Sequence, residues 1–168
     1  GFRTRDVLHA KMQIRSDTVN FIVNHWPSRR GGVLAGEAER IRVAEMVRAL
    51  ADSIIKAQAD AKIIIMGDLN ATPDDLTTLI LTEMREGNSR FVNLSAGLPE
   101  SAGTYRYRGI WETIDQVIVS ETLVNGSSGL CTGLEHFRVF SPDFLLKKDP
   151  QYPGYAPFAT YSGYRYQG

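Results

Sequence analysis

Cysteine is almost absent. The lone Cys131 excludes an internal disulfide, provides no cysteine-based zinc site and leaves the redox compartment open. An excess of either charge is missing too: 19 Lys and Arg balance 19 Asp and Glu, so a polyanionic partner would have to be met by a local cluster. No apolar segment approaches the length of a membrane span. The first residues, Gly-Phe-Arg-Thr-Arg-Asp, lack the apolar core of a signal peptide. The chain reads as soluble, with neither a cytoplasmic nor an exported location selected. Internal repeats and low-complexity linkers are likewise missing, which argues against a second domain. What is present is 43% hydrophobic and 10% aromatic residues in a chain of 168, enough for one domain over residues 1–168 with a core of its own.

Two short apolar runs, Val7 to Ile14 and Thr18 to Val23, flank the polar Arg15-Ser16-Asp17 and predict a hairpin. The second run empties into Asn24-His25-Trp26-Pro27, and Ser28 to Gly36, with two Arg and three Gly, is a loop. From Glu37 to about Ala59 the period changes: Val43, Val47, Leu50 and Ile54 recur at helical spacing. Lys62 to Met66, with three consecutive Ile, is too short and too β-branched for a helix and predicts a central strand covered on both faces. Thr72-Pro73-Asp74-Asp75 predicts a helix start with Thr72 as N-cap, running to about Glu86 and stopping at Gly87-Asn88. Thr113 to Ser120 reads as another strand, Cys131 to Phe140 as a weaker one, and the tail from Ser141 has no sustained period. Interleaved strands and helices point to a layered α/β architecture.

Three strand ends carry polar chemistry. Asp68 and Asn70 lie just past the Ile-rich strand, where open α/β sheets collect ligands. Their i, i+2 spacing in extended backbone would aim both side chains the same way. A carboxylate beside an amide suits a hard cation such as magnesium, or an attacking water plus a phosphate oxygen; an Asx-type turn before a capped helix is the structural alternative. His25, Ser28, Arg29 and Arg30 gather an imidazole, a hydroxyl and two guanidiniums able to bind a phosphoryl group and protonate a leaving oxygen, while a solvated loop with surface charge explains them equally. Asp115 sits in a run that should be buried, sharing a strand face with Val117 and Val119. That position is costly unless it is hydrogen-bonded or paired, or unless the acid stands at a strand start and reaches water. Paired, it could orient a histidine as hydrolase triads do.

Together the strings Val-Asn-His-Trp-Pro-Ser-Arg (23–29), Ile-Met-Gly-Asp-Leu-Asn-Ala-Thr-Pro (65–73) and Trp-Glu-Thr-Ile-Asp-Gln-Val-Ile-Val-Ser (111–120) resemble the endonuclease/exonuclease/phosphatase superfamily. Its members include deoxyribonuclease I-like nucleases, apurinic endonucleases, sphingomyelinases and inositol-polyphosphate phosphatases. The resemblance implies a phosphodiester hydrolase dependent on magnesium (or manganese), built on a deoxyribonuclease I-like two-sheet α/β sandwich, with nucleic acid as the foremost substrate. By the same likeness Asp68 would orient or deprotonate the attacking water and serve as a secondary metal ligand, and Asn70 would hold the phosphate. His25 would contact the scissile phosphate, and Asp115 would pair with a second His.

The family pattern also includes an Asn-bearing strand and a Glu-bearing strand upstream of the hairpin, and a closing Ser-Asp-His element, none of which this sequence contains. The run Thr160 to Gly168 resembles the approach to that last element. The expectation is therefore a partial sandwich, the carboxyl-side portion of the family domain, with the principal metal ligand absent and activity lost in the isolated chain. A non-catalytic remnant or interaction domain, and a phospholipid- or inositol-phosphate-directed enzyme, are the competing expectations. An uncovered sheet face predicts rearrangement or self-association.

Overall fold

The computed structural model describes residues 4–83, 91–126, 129–159, 161–162 and 165–166. In chain order its elements begin with β1 (Leu8–Ile14), β2 (Asp17–His25), α1 (Glu37–Ala57), β3 (Lys62–Asp68), α2 (Leu76–Thr82) and β4 (Phe91–Asn93). They continue with β5 (Tyr105–Tyr107), β6 (Ile110–Glu112), β7 (Asp115–Ser120), α3 (Glu121–Val124), β8 (Leu146–Lys148), β9 (Tyr155–Pro157), β10 (Tyr161–Ser162) and β11 (Arg165–Tyr166). Five strands form one sheet in the order β1-β2-β3-β7-β4, and the other six pair as three two-stranded hairpins.

The expected hairpin forms β1 and β2, turning at Arg15 and Ser16, with Arg15 at φ 56°. β2 and β3 are the parallel pair, and such a pair needs a long crossover. Helix α1 supplies it. Its buried stripe of Val43, Val47, Ala51 and Ile55 packs on Ile22, Ile63, Ile65 and Ile118 from three strands, while Glu37 and Glu39 in its first turn complement the helix dipole.

Alternation along the strands gives the sheet two unequal faces. The helix-side face is closed: Ile22, Ile63, Ile65 and Ile118 have no exposure at all. The opposite face is covered near β7, where Leu94, Leu123, Leu130 and Phe137 pack with Val119 and Ile64, and at Val19 of β2, which has no exposure. Farther along that face Phe21, Val23 and Met66 are half-buried, and Leu8 and Met12 are exposed. The central strand expected to be covered on both faces is thus fully covered on one.

Two further expectations change. The second helix starts at Leu76, not Thr72, with Asp75 as its extended N-cap residue. The Asp75 carboxylate accepts the Thr72 N–H at 2.8 Å and the Thr72 hydroxyl donates to Asp74 at 2.6 Å. These local bonds close a turn that competes with the first helical turn. The predicted stop at Gly87-Asn88 lies outside the described residues, as does part of the run Thr160 to Gly168. Cys131 to Phe140 forms no strand; Leu134–His136 is a single 3-10 turn, and Phe137 is the member of the run that joins the core. Among the described residues no helix is long and apolar enough to cross a membrane.

Candidate active site

The register of the sheet puts His25, Asp68 and Asp115 in one row across β2, β3 and β7. Counting by twos from Val23, Met66 and Val117 places all three on the face opposite α1. His25 Nε2 lies 3.6 Å from Asp68 Oδ2, with the imidazole about half exposed. The row exists because Gly67 lets β3 run on to Asp68, three residues past its Ile stretch. At φ 132° and pressed against the Asn24 carbonyl, Gly67 has no room for a Cβ. Trp26 N–H then donates to the Asp68 carbonyl at 2.9 Å and Leu69 N–H to that of Ile114 at 2.9 Å, tying the three strand ends together.

Asp68 and Asn70 form the Asx turn and the cleft floor at once. Asp68 Oδ1 accepts the Asn70 N–H at 2.9 Å. Asn70 is not extended: at φ 48° it folds back, and its amide donates to the Trp26 carbonyl at 3.1 Å. The two side chains therefore leave the backbone in different directions, yet both line one cleft of about 500 Å³. Burial, foremost, and the neighbouring Asp115 charge raise the Asp68 pKa above 3.8, outweighing the opposing effects of the Asn70 N–H, His25 and Arg5.

Asp115 is exposed, not buried as its apolar surroundings predict. It is the first residue of β7, so its carboxylate reaches water while its N–H donates to Thr104 Oγ at 3.0 Å. Neither of the other histidines meets it: His9 bonds Asn20 at 3.1 Å and His136 lies 3.4 Å from Glu135.

The arginines separate. Arg29 is held in a two-pronged pair with Glu112, at 3.2 and 2.7 Å, so it braces the cleft wall; Arg30 is exposed at the rim. Arg106 donates to the Tyr155 and Pro153 carbonyls and stands 3.4 Å from Asp149, behind the β5–β6 hairpin and away from the cleft.

Several contributors carry no local motif. Arg5 donates to the Trp26 carbonyl at 2.9 Å, adding a cation near Asp68. Buried Arg40 gathers the loop after β2, donating to the carbonyls of Ala35 at 2.9 Å, Val33 at 2.5 Å and Pro27 at 3.4 Å. Gln116 donates to the Ala71 carbonyl at 2.5 Å and accepts from Asn93 at 2.6 Å, bracing the chain just past Asn70 from below. Gln116 was visible in sequence as a polar residue within an apolar strand; Arg5 and Arg40 gave no signal beyond their charge.

A hard divalent cation takes six or more oxygens, several of them from carboxylates and waters. Asp68 and Asp115 supply two carboxylates. Among the described residues no group of three or more His, Cys, Asp or Glu could hold a metal ion, so these residues do not complete the magnesium site that the sequence resemblance implies.

The sequence matches the Endonuclease/Exonuclease/phosphatase family over residues 1–168. No curated protein matches it. Similar solved structures include truncated TDP2 of Caenorhabditis elegans, at 14% identity and TM-score 0.48, covering 68% of this chain and 45% of that one. Another is sphingomyelinase C of Streptomyces griseocarneus, at 19% identity and TM-score 0.47, covering 72% of this chain and 44% of that one. The chain thus spans less than half the length of either. With the α/β architecture and the family match in agreement, the chain belongs to the endonuclease/exonuclease/phosphatase family.

Proposed function

We propose that this chain carries the phosphate-holding and water-orienting part of a phosphodiester hydrolase that uses magnesium or manganese, acting as one domain over residues 1–168. The observation that supports it is the row of His25, Asp68 and Asp115 beside the cleft floored by Asp68 and Asn70. An amide has two donor hydrogens. Asn70 spends one on Trp26 and keeps one for a phosphate oxygen. Asp68 Oδ1 is engaged by the Asn70 N–H, so Oδ2 is the atom that takes a proton from the attacking water. Burial makes that carboxylate a better base than an exposed one. His25, adjacent in the row, serves the leaving oxygen. Asp115 serves a second imidazole, which the described residues do not provide.

Because two carboxylates are the donors on hand, the isolated chain is expected not to turn over. The test combines phosphate binding by calorimetry with hydrolysis of bis-p-nitrophenyl phosphate in magnesium or manganese. Inorganic phosphate should bind, about tenfold more weakly in Asn70→Ala for the loss of one charge-assisted hydrogen bond, with no turnover. Turnover lost in Asp68→Ala would overturn the inactivity and keep the hydrolase reading. Failure of phosphate to bind, without turnover, would overturn the reading itself.

A second reading, a domain that binds a partner without catalysis, is favoured by the uncovered face around exposed Leu8 and Met12. The partner proposed for that face is a second copy of this chain.

A further inference from the structure

The wall of the cleft opposite the loop after β2 is the β5–β6 hairpin, and its two sides differ in kind. Pairing of Tyr105 with Glu112, Arg106 with Trp111 and Tyr107 with Ile110 puts both tyrosines on one face and Arg106 with Trp111 on the other. The rear face is anchored. Arg106 stands 5.7 Å from the Trp111 ring centroid and is strapped to the β8–β9 hairpin by two carbonyls at 2.6 and 2.5 Å. The front face is open: Tyr105 and Tyr107 are 42% and 53% exposed, and both line the cleft that holds Asp68 and Asn70. The Arg29–Glu112 pair spans from the loop to the hairpin and fixes the width of the gap between the walls.

A rigidly backed strand that presents two tyrosine rings to water beside a phosphate site is a surface for a planar ligand. Base–aromatic stacking is tolerant of sequence and strong enough to matter. We infer that Tyr105 and Tyr107 form a stacking platform for the nucleobase attached to a phosphate held over Asp68 and Asn70, making a nucleotide phosphodiester the ligand class of this cleft. The inference rests on the phosphate-site reading above. The charge around the rings decides against a choline ester. The Arg108 guanidinium lies 5.2 Å from the Tyr107 centroid, so a positive charge already beside the ring repels a quaternary ammonium but not a neutral base. An inositol ring has no π-face to stack. A cleft of about 500 Å³ is within the range of small-molecule sites.

The test titrates the whole chain with adenosine 5′-monophosphate, ribose 5-phosphate, phosphocholine and inorganic phosphate, following binding by calorimetry. Adenosine 5′-monophosphate should bind about tenfold or more tighter than the other three. Tyr107→Ala should bring it to the level of ribose 5-phosphate, and Tyr107→Trp should retain the preference. Because Tyr107 is exposed, these variants keep the fold, which far-UV circular dichroism checks. Equal binding of adenosine 5′-monophosphate and ribose 5-phosphate, a preference for phosphocholine, or an unchanged preference in both Tyr107→Ala and Tyr105→Ala would overturn the platform and leave the phosphate site standing. Absence of binding by all four, inorganic phosphate included, would remove the phosphate site and the platform with it.

Discussion

Asp68 is where burial and neighbouring positive charge pull against each other. Its carboxyl is pushed above the ordinary 3.8, first by burial and then by Asp115. The folded chain therefore holds that proton more tightly than the unfolded chain does. Between 3.8 and the raised value the native state binds more protons, so stability falls as pH rises through that window, and the ionised side chain is a net cost above it. The half-exposed His25, 3.6 Å away, returns little of that cost, since exposed pairs contribute about 0–1 kcal/mol. Asp68→Asn keeps an oxygen for the Asn70 N–H and removes the charge. It should melt at a higher temperature than the parent at pH 7, with the gain shrinking to nothing below about pH 3.8, as calorimetry across pH would show. A lower melting temperature at pH 7 would mean that the His25 and Arg5 charges outweigh burial. The residues of the row were legible but not their arrangement: His25 and Asp68 follow apolar runs and Asp115 is an acid within one, whereas the left-handed Asn70 and the solvent-facing Asp115 depend on where strands begin and end in the assembled sheet.

At the scale of elements, the loop from Ser28 to Gly36 owes its shape to a side chain outside it. Arg40, on the first turns of α1, is buried with its guanidinium against the carbonyls of Val33, Ala35 and Pro27. Replacing it by Met keeps most of the apolar stem and strands those carbonyls, so Arg40→Met should cost about 2–4 kcal/mol in denaturant unfolding, from the loss of hydrogen bonds to a charged group. Phosphate binding should weaken with it, because the loop is one wall of the cleft. A loss under about 0.5 kcal/mol, as for an ordinary surface change, would show that the loop holds its shape unaided. Elements whose period is carried by many residues, such as α1 and β3, were legible in the sequence. Three-residue strands such as β4, β5 and β6 were not, because pairing rather than propensity creates them. Thr72 was misread for a related reason: an N-cap sequence that folds back on its own acids looks identical on paper to one that starts a helix.

For the whole molecule the question is what covers the sheet face opposite α1. Among the described residues no strand pairs with the outer edge of β1, which runs for seven residues and carries Leu8 and Met12 at 61% and 53% exposure on that face. A long edge strand with apolar side chains is a template for another strand. An antiparallel pairing of β1 with β1 of a second copy would be closed and two-fold, satisfying both edges at once. It would also extend the apolar strip formed by Phe21, Val23 and Met66, which a single copy leaves half-covered. The chain should therefore run as a dimer in size-exclusion chromatography with light scattering. Met12→Lys with Leu8→Lys, which places charges on the edge, should shift it to monomer without loss of secondary structure. Leu8 stands opposite Val23, beside the site row, whereas Met12 stands opposite Val19, six residues from His25 along β2, so phosphate affinity of the single Met12→Lys variant should equal that of the parent. A parent chain that is monomeric at about 100 μM, a concentration at which a standard-sized interface of micromolar affinity would be filled, overturns the pairing.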